Sequence, residues 1–421
     1  MEIPALYKIW KQKHTISTDS RNIEVGCIFF ALKGENFNGN AYAESALEKG
    51  AAYVIVDDIR YYNSNDDRYI FVEDVLSCLQ LLANHHRKTL NIPVLAITGS
   101  NGKTTTKELS RDVISKKYKT HATVGNLNNH IGVPLTILAV NEDIEFLIVE
   151  MGANHQGEIE ILCKIAEPSF TMITNIGKAH LEGFGGVEGI KKGKSEMYRY
   201  AASNDGTIFV NIDDSTLLSL VPDKSKTVKY SANENIKIIS EDPTLVLDID
   251  GIKIHTHLYG NYNKPNIAFA IALGKYFNIP TEDICVAISQ YIPDNNRSQL
   301  YQSGTTSIIK DAYNANPSSM RLSIESFGKL NGNKIMILGD MLELGDYTYL
   351  EHEGIIELAS NFIFEEVIFV GRNFMEAGKG KRGKYFLNVM EAREYFQTLN
   401  IEHTTVLLKG SRGIAIEKIL N

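Results

Sequence analysis

An apolar run, Pro93-Val94-Leu95-Ala96-Ile97-Thr98, breaks into Gly99-Ser100-Asn101-Gly102-Lys103-Thr104-Thr105-Thr106, and a helical pattern follows from Lys107 to Lys117. Few arrangements satisfy a strand, a glycine-rich turn and a helix in that order. A parallel sheet whose strand feeds a phosphate cradle at a helix N-terminus is one. In such a turn the backbone N–H groups converge on an anion. Lys103 then reaches the terminal phosphates of a nucleotide, and the Thr104 hydroxyl is placed to hold Mg²⁺. Only Ser100 and Asn101 separate the two glycines, whereas the common P-loop has about four residues there. The alternative is therefore an Asn-Gly turn that merely starts a helix. The strand before and the helix after favour the phosphate reading. So do the three threonines, because β-branched residues suit a first helical turn poorly without another task.

The surrounding chain sets the scale. Its 421 residues call for two or three domains, and 43% apolar with 22% charged residues is enough to build substantial cores. The formal charge of −8 argues against general nucleic-acid binding, while leaving room for an anionic small substrate. Cys27, Cys78, Cys163 and Cys285 are far apart and form no CxxC pair, so neither a disulfide framework nor a zinc site is expected. No apolar leader or membrane-length run is present, and a cytoplasmic location is expected.

Three α/β units are expected, at 1–90, 91–294 and 295–421. The first has strands at Cys27–Leu32 and Ala51–Val56 and helices around Ala43–Leu47 and Leu76–Thr89. Its polar loops, Ser17–Arg21 and Lys33–Asn40, sit where strands end, a usual place for ligands; Asn38-Gly39 reads equally well as a hairpin turn. The second alternates strand and helix patterns, which argues for a mostly parallel sheet covered by helices. Two of its apolar runs end in Glu150-Met151-Gly152 and Asn175–His180. Ligands bind such sheets beyond the carboxyl ends of the strands, so the Gly99–Thr106 turn, Glu150 and His180 could share one crevice. A carboxylate suits Mg²⁺, whereas His180 taken alone reads as a hydrogen-bonding surface residue. Lys191, Lys192 and Lys194 taken alone read as a solvated helix start. Asp248–Ile254 reads as a hairpin, and Asn263 as a cap for the helix Ile267–Tyr276. The third unit repeats strand and helix in a smaller, dinucleotide-fold-like pattern. Its strands lead into Asp311–Pro317, Gly339–Gly345 and Lys409–Gly413, and no GxGxxG suggests a nicotinamide cofactor.

Together these stretches resemble the Mur ligases, ATP-dependent amide-forming enzymes of peptidoglycan precursor synthesis. The resemblance rests on Gly99–Thr106, Gly125–Pro134, Glu150–Glu158, Asn175–Glu182, Asp311–Met320 and Gly339–Gly345, and covers nearly the whole chain. It implies a UDP-sugar-binding domain, an ATP-binding domain and a closing C-terminal domain. It implies ATP and Mg²⁺, and within the family it is greatest to the members that join D-alanyl-D-alanine to UDP-N-acetylmuramoyl-tripeptide. By this resemblance Gly99, Ser100, Asn101, Gly102, Lys103, Thr104 and Thr105 hold the phosphates. Asn263 meets adenine, while Arg297 and Asp311 lie near the nucleotide. Thr104, Glu150 and His180 serve Mg²⁺, and Lys194 falls where the family carries a carbamylated lysine, so Lys103, His180 and Lys194 form the catalytic set. Thr18, Ser20, Arg21, Lys33, Asn38 and Gly39 lie where the first domain grips uridine and diphosphate. Asn126, Asn128 and Asn129 fall beside the sugar-peptide and metal. Asn38, Asn40 and Lys310 depart from common family residues. A monomer without nucleic-acid or membrane partners is expected. Another member of the superfamily, folylpolyglutamate synthase among them, and a nucleotide-dependent switch are the rival readings.

Overall fold

The computed structural model describes residues 2–13, 15–234, 236–294 and 296–420. It is a three-domain α/β protein. Four parallel strands make the first sheet, in the order Ile16–Ser17, Ile28–Phe30, Tyr53–Val56 and Tyr69–Phe71. Ile28, Phe29 and Phe30 are all buried because the sheet is covered on both faces, which explains an unbroken apolar run in place of alternation. The helix Val75–Thr89 starts at Asp74, whose carboxylate accepts from the Ser77 N–H. It then ties the first domain to the second. Arg87 donates to the carbonyls of Ala166 (2.8 Å) and Glu167 (3.0 Å), occupying acceptors at the C-terminus of the helix Glu158–Ala166.

The central sheet has six parallel strands. Their order is Lys226–Tyr230, Thr207–Asn211, Phe170–Ile173, Val94–Thr98, Phe146–Glu150 and Thr120–Ala122. Val94–Thr98 is entirely buried and lies between the strands that end at Glu150 and Ile173. The chain leaves it for the far edge and returns on its other side, so the crevice at its carboxyl end is a topological switch point. A three-stranded antiparallel sheet, Ile236–Ser240, Val246–Ile249 and Ile252–His255, is appended. Its second turn is the expected Asp250-Gly251 hairpin, with φ of 50° and 88°.

The C-terminal sheet also has six strands. Gln299–Ser303 pairs antiparallel with Thr306–Asp311; Thr404–Lys409, Asn333–Gly339, Glu366–Val370 and Lys384–Phe386 continue in parallel. The edge strands Gln299–Ser303 and Lys384–Phe386 have mixed polarity and carried no apolar run to mark them. Asn295, at the expected entrance to this unit, lies outside the described residues.

Candidate active site

The helix after the glycine-rich turn begins at Lys103, four residues before the sequence pattern suggested, and runs to Ile114. Gly102 precedes it at φ 80°, where a Cβ would press on the Asn266 amide. Gly99 has φ 144°, and a Cβ there would collide with the Thr174 side chain. The threonines offset their low helix propensity through their hydroxyls. Thr104 donates to Glu150 Oε2 at 2.9 Å, and Thr106 donates to Asn266 Oδ1 at 3.1 Å. Gly99→Ala is expected to lower the thermal midpoint by several degrees and to weaken ATP binding, because both the φ and the clash act on the cradle. Scanning calorimetry with and without ATP measures both effects.

A cavity of about 750 Å³ opens over this turn, between the central and C-terminal domains. Ser100, Asn101, Gly102, Lys103, Thr104 and Thr105 form its floor. Glu150, His180 and the Asn126, Asn128 and Asn129 loop line its central-domain side. Asn263, Arg297 and Asp311 also face it. Gly99 packs beneath the floor, and Lys194 lies behind the wall rather than on it.

Lys103 Nζ donates to the Gly99 carbonyl at 2.8 Å. Enclosure pushes its ammonium below the ordinary lysine range, with Glu150 opposing and Arg297 adding to the shift. Glu150 is 2% exposed. Its carboxylate accepts only from neutral donors, Thr104 Oγ1 and Asn128 Nδ2 (2.7 Å), and meets no ion pair among the described residues. A buried carboxylate without an ion-pair partner among the described residues, next to a hydroxyl and the N–H groups of the glycine-rich turn, fits a hard cation such as Mg²⁺. Among the described residues no three His, Cys, Asp or Glu side chains cluster to hold a metal. Phosphate oxygens and water would have to complete the coordination.

The isolated readings of two residues need correction. Lys191, Lys192 and Lys194 end the helix Val187–Lys194 rather than starting one. Lys192 is exposed, but Lys194 is 1% exposed, its Nζ 5.2 Å from the Phe184 ring centre. Burial, and then the charge of Lys103, push its pKa down to about 7. The chain turns at Ser195 into a second helix, Glu196–Ser203, and this corner folds Lys194 inward. His180, which taken alone reads as a hydrogen-bonding surface residue, is half-buried between domains. It has φ 55°, and its Nδ1 meets the Glu343 carboxylate of the C-terminal domain.

Asn263 does not cap its helix. Its amide donates to the Tyr259 carbonyl at 2.8 Å and accepts from Asn266 Nδ2 at 2.9 Å, so it faces the cavity within a fixed network. Asp311 is held by Lys409 at 2.5 Å. Asn316 Nδ2 donates across the domain boundary to Asn101 Oδ1 at 2.7 Å. Tyr313 stacks under Arg297, whose guanidinium carbon lies 3.6 Å from the ring centre. Lys409, Asn316 and Tyr313 were missed as individual residues, although their loops follow recognisable strands.

Thr18, Ser20, Arg21, Lys33, Asn38 and Gly39 do not line this cavity. Thr18, Ser20 and Arg21 follow the strand Ile16–Ser17, whereas Lys33 and Asn38 pair in a short hairpin and Gly39 follows it. Lys33 pairs with Asp57 at 2.8 Å, and Arg21 pairs with Asp19. Asn38-Gly39 is not a hairpin turn. The hairpin joins Lys33–Gly34 to Phe37–Asn38, and Gly39 begins a short 3₁₀ helix. Asn40 is buried and accepts from the N–H groups of Asp57 and Asp58, which braces this stretch.

A three-domain chain with a glycine-rich turn under a C-terminal α/β domain defines a class, and comparison with known proteins places it. Three family models match in order: Mur ligase family, catalytic domain (residues 12–87); Mur ligase middle domain (97–274); and Mur ligase, glutamate ligase domain (296–412). The chain belongs to the Mur ligase family. It is 34% identical to the UDP-N-acetylmuramoyl-tripeptide–D-alanyl-D-alanine ligase of Bacillus subtilis, over 97% of this chain and 92% of that protein. It is 30% identical to the same-named ligase of Escherichia coli, over 96% and 92%. It superposes on MurF from Acinetobacter baumannii with a TM-score of 0.87 at 31% identity, covering 96% and 92% of the two chains. The corresponding values for MurF ligase from Thermotoga maritima in complex with ADP are 0.84, 26%, 97% and 96%.

Proposed function

We propose that this chain is an ATP-dependent, ADP-forming ligase that joins D-alanyl-D-alanine to UDP-N-acetylmuramoyl-tripeptide. The observation that carries this reading is the convergence of Lys103, Thr104, Glu150 and His180 on one interdomain cavity, in a chain so similar to ligases of that name. In the proposed reaction the tripeptide carboxylate attacks the γ-phosphorus of ATP, and ADP leaves. The dipeptide amine then attacks the acyl phosphate carbonyl and phosphate leaves, forming the amide. Both steps crowd negative oxygens together, so cationic groups dominate the catalysis. Mg²⁺ at Thr104, Glu150 and His180 would supply charge neutralisation there.

This chain's own residues divide the remaining work. Lys103 leaves the Gly99 carbonyl to meet the γ-phosphate. The N–H groups of Ser100–Thr105 cradle the phosphates at the helix N-terminus. Asn263, Arg297 and Asp311 take the rest of the nucleotide, with Asn126, Asn128 and Asn129 beside the sugar-peptide. We assign uridine and diphosphate to Thr18, Ser20, Arg21, Lys33, Asn38 and Gly39, and the three tasks to units 1–90, 91–294 and 295–421. Lys194 acts as a carbamate. The protein works as a cytoplasmic monomer; no helix among the described residues is long and apolar enough to cross a membrane.

Phosphate release is expected only when ATP, the UDP-tripeptide and D-alanyl-D-alanine are all present. A phosphate assay with each omitted in turn tests this. Full turnover with a single amino acid in place of the dipeptide would overturn it.

A further inference from the structure

The loop Gly339–Gly345 has no part in the chemistry above, yet side chains and backbone of the C-terminal domain anchor it. Asp340 is buried and accepts from the N–H groups of Asn373 and Phe374, both at 2.9 Å. His352 Nε2 accepts from the Met341 N–H at 3.1 Å, and the Leu342 N–H donates to Ser411 Oγ at 3.0 Å. Three successive residues are thus fixed before the chain reaches Glu343, which adopts φ 62°. For a non-glycine residue this conformation is costly and persists only where the surroundings impose it. The anchoring presents the Glu343 carboxylate to Nδ1 of His180, itself left-handed, on the other domain. The Glu182 N–H reaches the Glu343 carbonyl as well, at 3.4 Å.

We propose that Glu343 is a positioning residue for His180: when the C-terminal domain closes, its carboxylate takes the Nδ1–H and so leaves Nε2 bare for the ligands in the cavity. A neutral imidazole carries its proton on either nitrogen, and the hydrogen bond at one decides which is free at the other. His180 lines the cavity, and its Nε2 has no protein partner among the described residues. With the domains apart, Glu343 is withdrawn and the ring is free to hold its proton on the nitrogen the reaction needs bare. Closure thereby readies the site, and premature phosphoryl transfer to water is suppressed. Other contacts, Lys178 to Glu351 (2.5 Å) and Asn316 to Asn101, hold the domains together, so Glu343 is not needed for closure itself.

This inference rests on the proposed ligase reaction for its kinetic arm only. Glu343→Ala is expected to lower kcat 10- to 100-fold with KM for ATP and dipeptide within about twofold, as for outer partners of catalytic histidines. Glu343→Gln, whose amide oxygen can still accept the Nδ1–H, is expected to recover most of kcat. Glu343→Asn tolerates the left-handed backbone but is too short, so it stands in if the alanine variant folds poorly. The second arm is ¹⁵N NMR of the imidazoles with a non-hydrolysable ATP analogue, the His180 signal being assigned by His180→Gln. Wild type is expected to show Nδ1 protonated and Nε2 bare, and Glu343→Ala to show averaged tautomers. An unchanged kcat, a change confined to KM, or an unaltered His180 signal overturns the proposal. If wild type shows no dipeptide-dependent phosphate release, the proposed function has failed instead, and the NMR arm still decides the role of Glu343.

Discussion

Lys194→Ala is expected to reduce ligation by about 10³-fold, and millimolar acetate or formate to restore part of it. The reason lies in the burial of this side chain. An ammonium 1% exposed, with no hydrogen bond or ion pair among the described residues, is poorly solvated. Its pKa near 7 means that the neutral amine is abundant at physiological pH. That amine can add to CO₂, forming an N–C bond and releasing one proton, and the product is an anion of carboxylate type. The conversion replaces a destabilised cation with a group that complements the cations around phosphate transfer. A small carboxylate can enter the space left by the alanine variant and stand in for it. Lys194→Arg cannot be carbamylated and is expected to be inactive and unrescued. Full activity in Lys194→Ala would remove the residue from the mechanism.

The same residue predicts a pH dependence of stability. Its folded pKa, about 7, is below the unfolded value of 10.5. Folding therefore disfavours the charged form: the penalty is complete below pH 7 and fades as pH rises toward 10.5. In CO₂-free buffer, Lys194→Met is expected to be more stable than wild type at pH 6, with the advantage shrinking toward pH 10. Denaturant titrations across that range measure it.

Lys103→Ala is expected to cost a comparable factor, about 10³-fold in kcat, but with the opposite outcome in rescue. No small carboxylate restores it, because in the proposed reaction what is lost is a cation at the γ-phosphate. This lysine donates to the Gly99 carbonyl, and enclosure holds its pKa down. Its charge is therefore a burden on the fold. The variant is expected to keep or slightly raise its thermal midpoint while losing most of the stabilisation that ATP gives wild type. A midpoint that falls without ligand, with the ATP-induced shift intact, would assign Lys103 a structural role.

These expectations draw unequally on sequence and fold. Local chemistry determined the order strand, glycine-rich turn and helix from residue 93 onward, although it started the helix at Lys107 instead of Lys103. It likewise placed Glu150 and His180 at strand ends, because apolar runs stop where loops begin. The alternation of elements gave the three α/β units, and the motifs in their order gave the family. Other features depend on residues far apart in the chain. Whether a lysine is solvated depends on what packs over it, so the pattern at Lys191, Lys192 and Lys194 could not single out the buried one. Asn263 looked like a cap; its direct partners, Tyr259 and Asn266, are just as local, and only the bond from Thr106 to Asn266 ties that group to a distant segment. Lys409 meets Asp311 because Thr306–Asp311 and Thr404–Lys409 pair in parallel at that register. The contact of Glu343 with His180 joins two domains. Burial, strand register and domain closure are properties of the packed chain, set by long-range contacts that no local window contains.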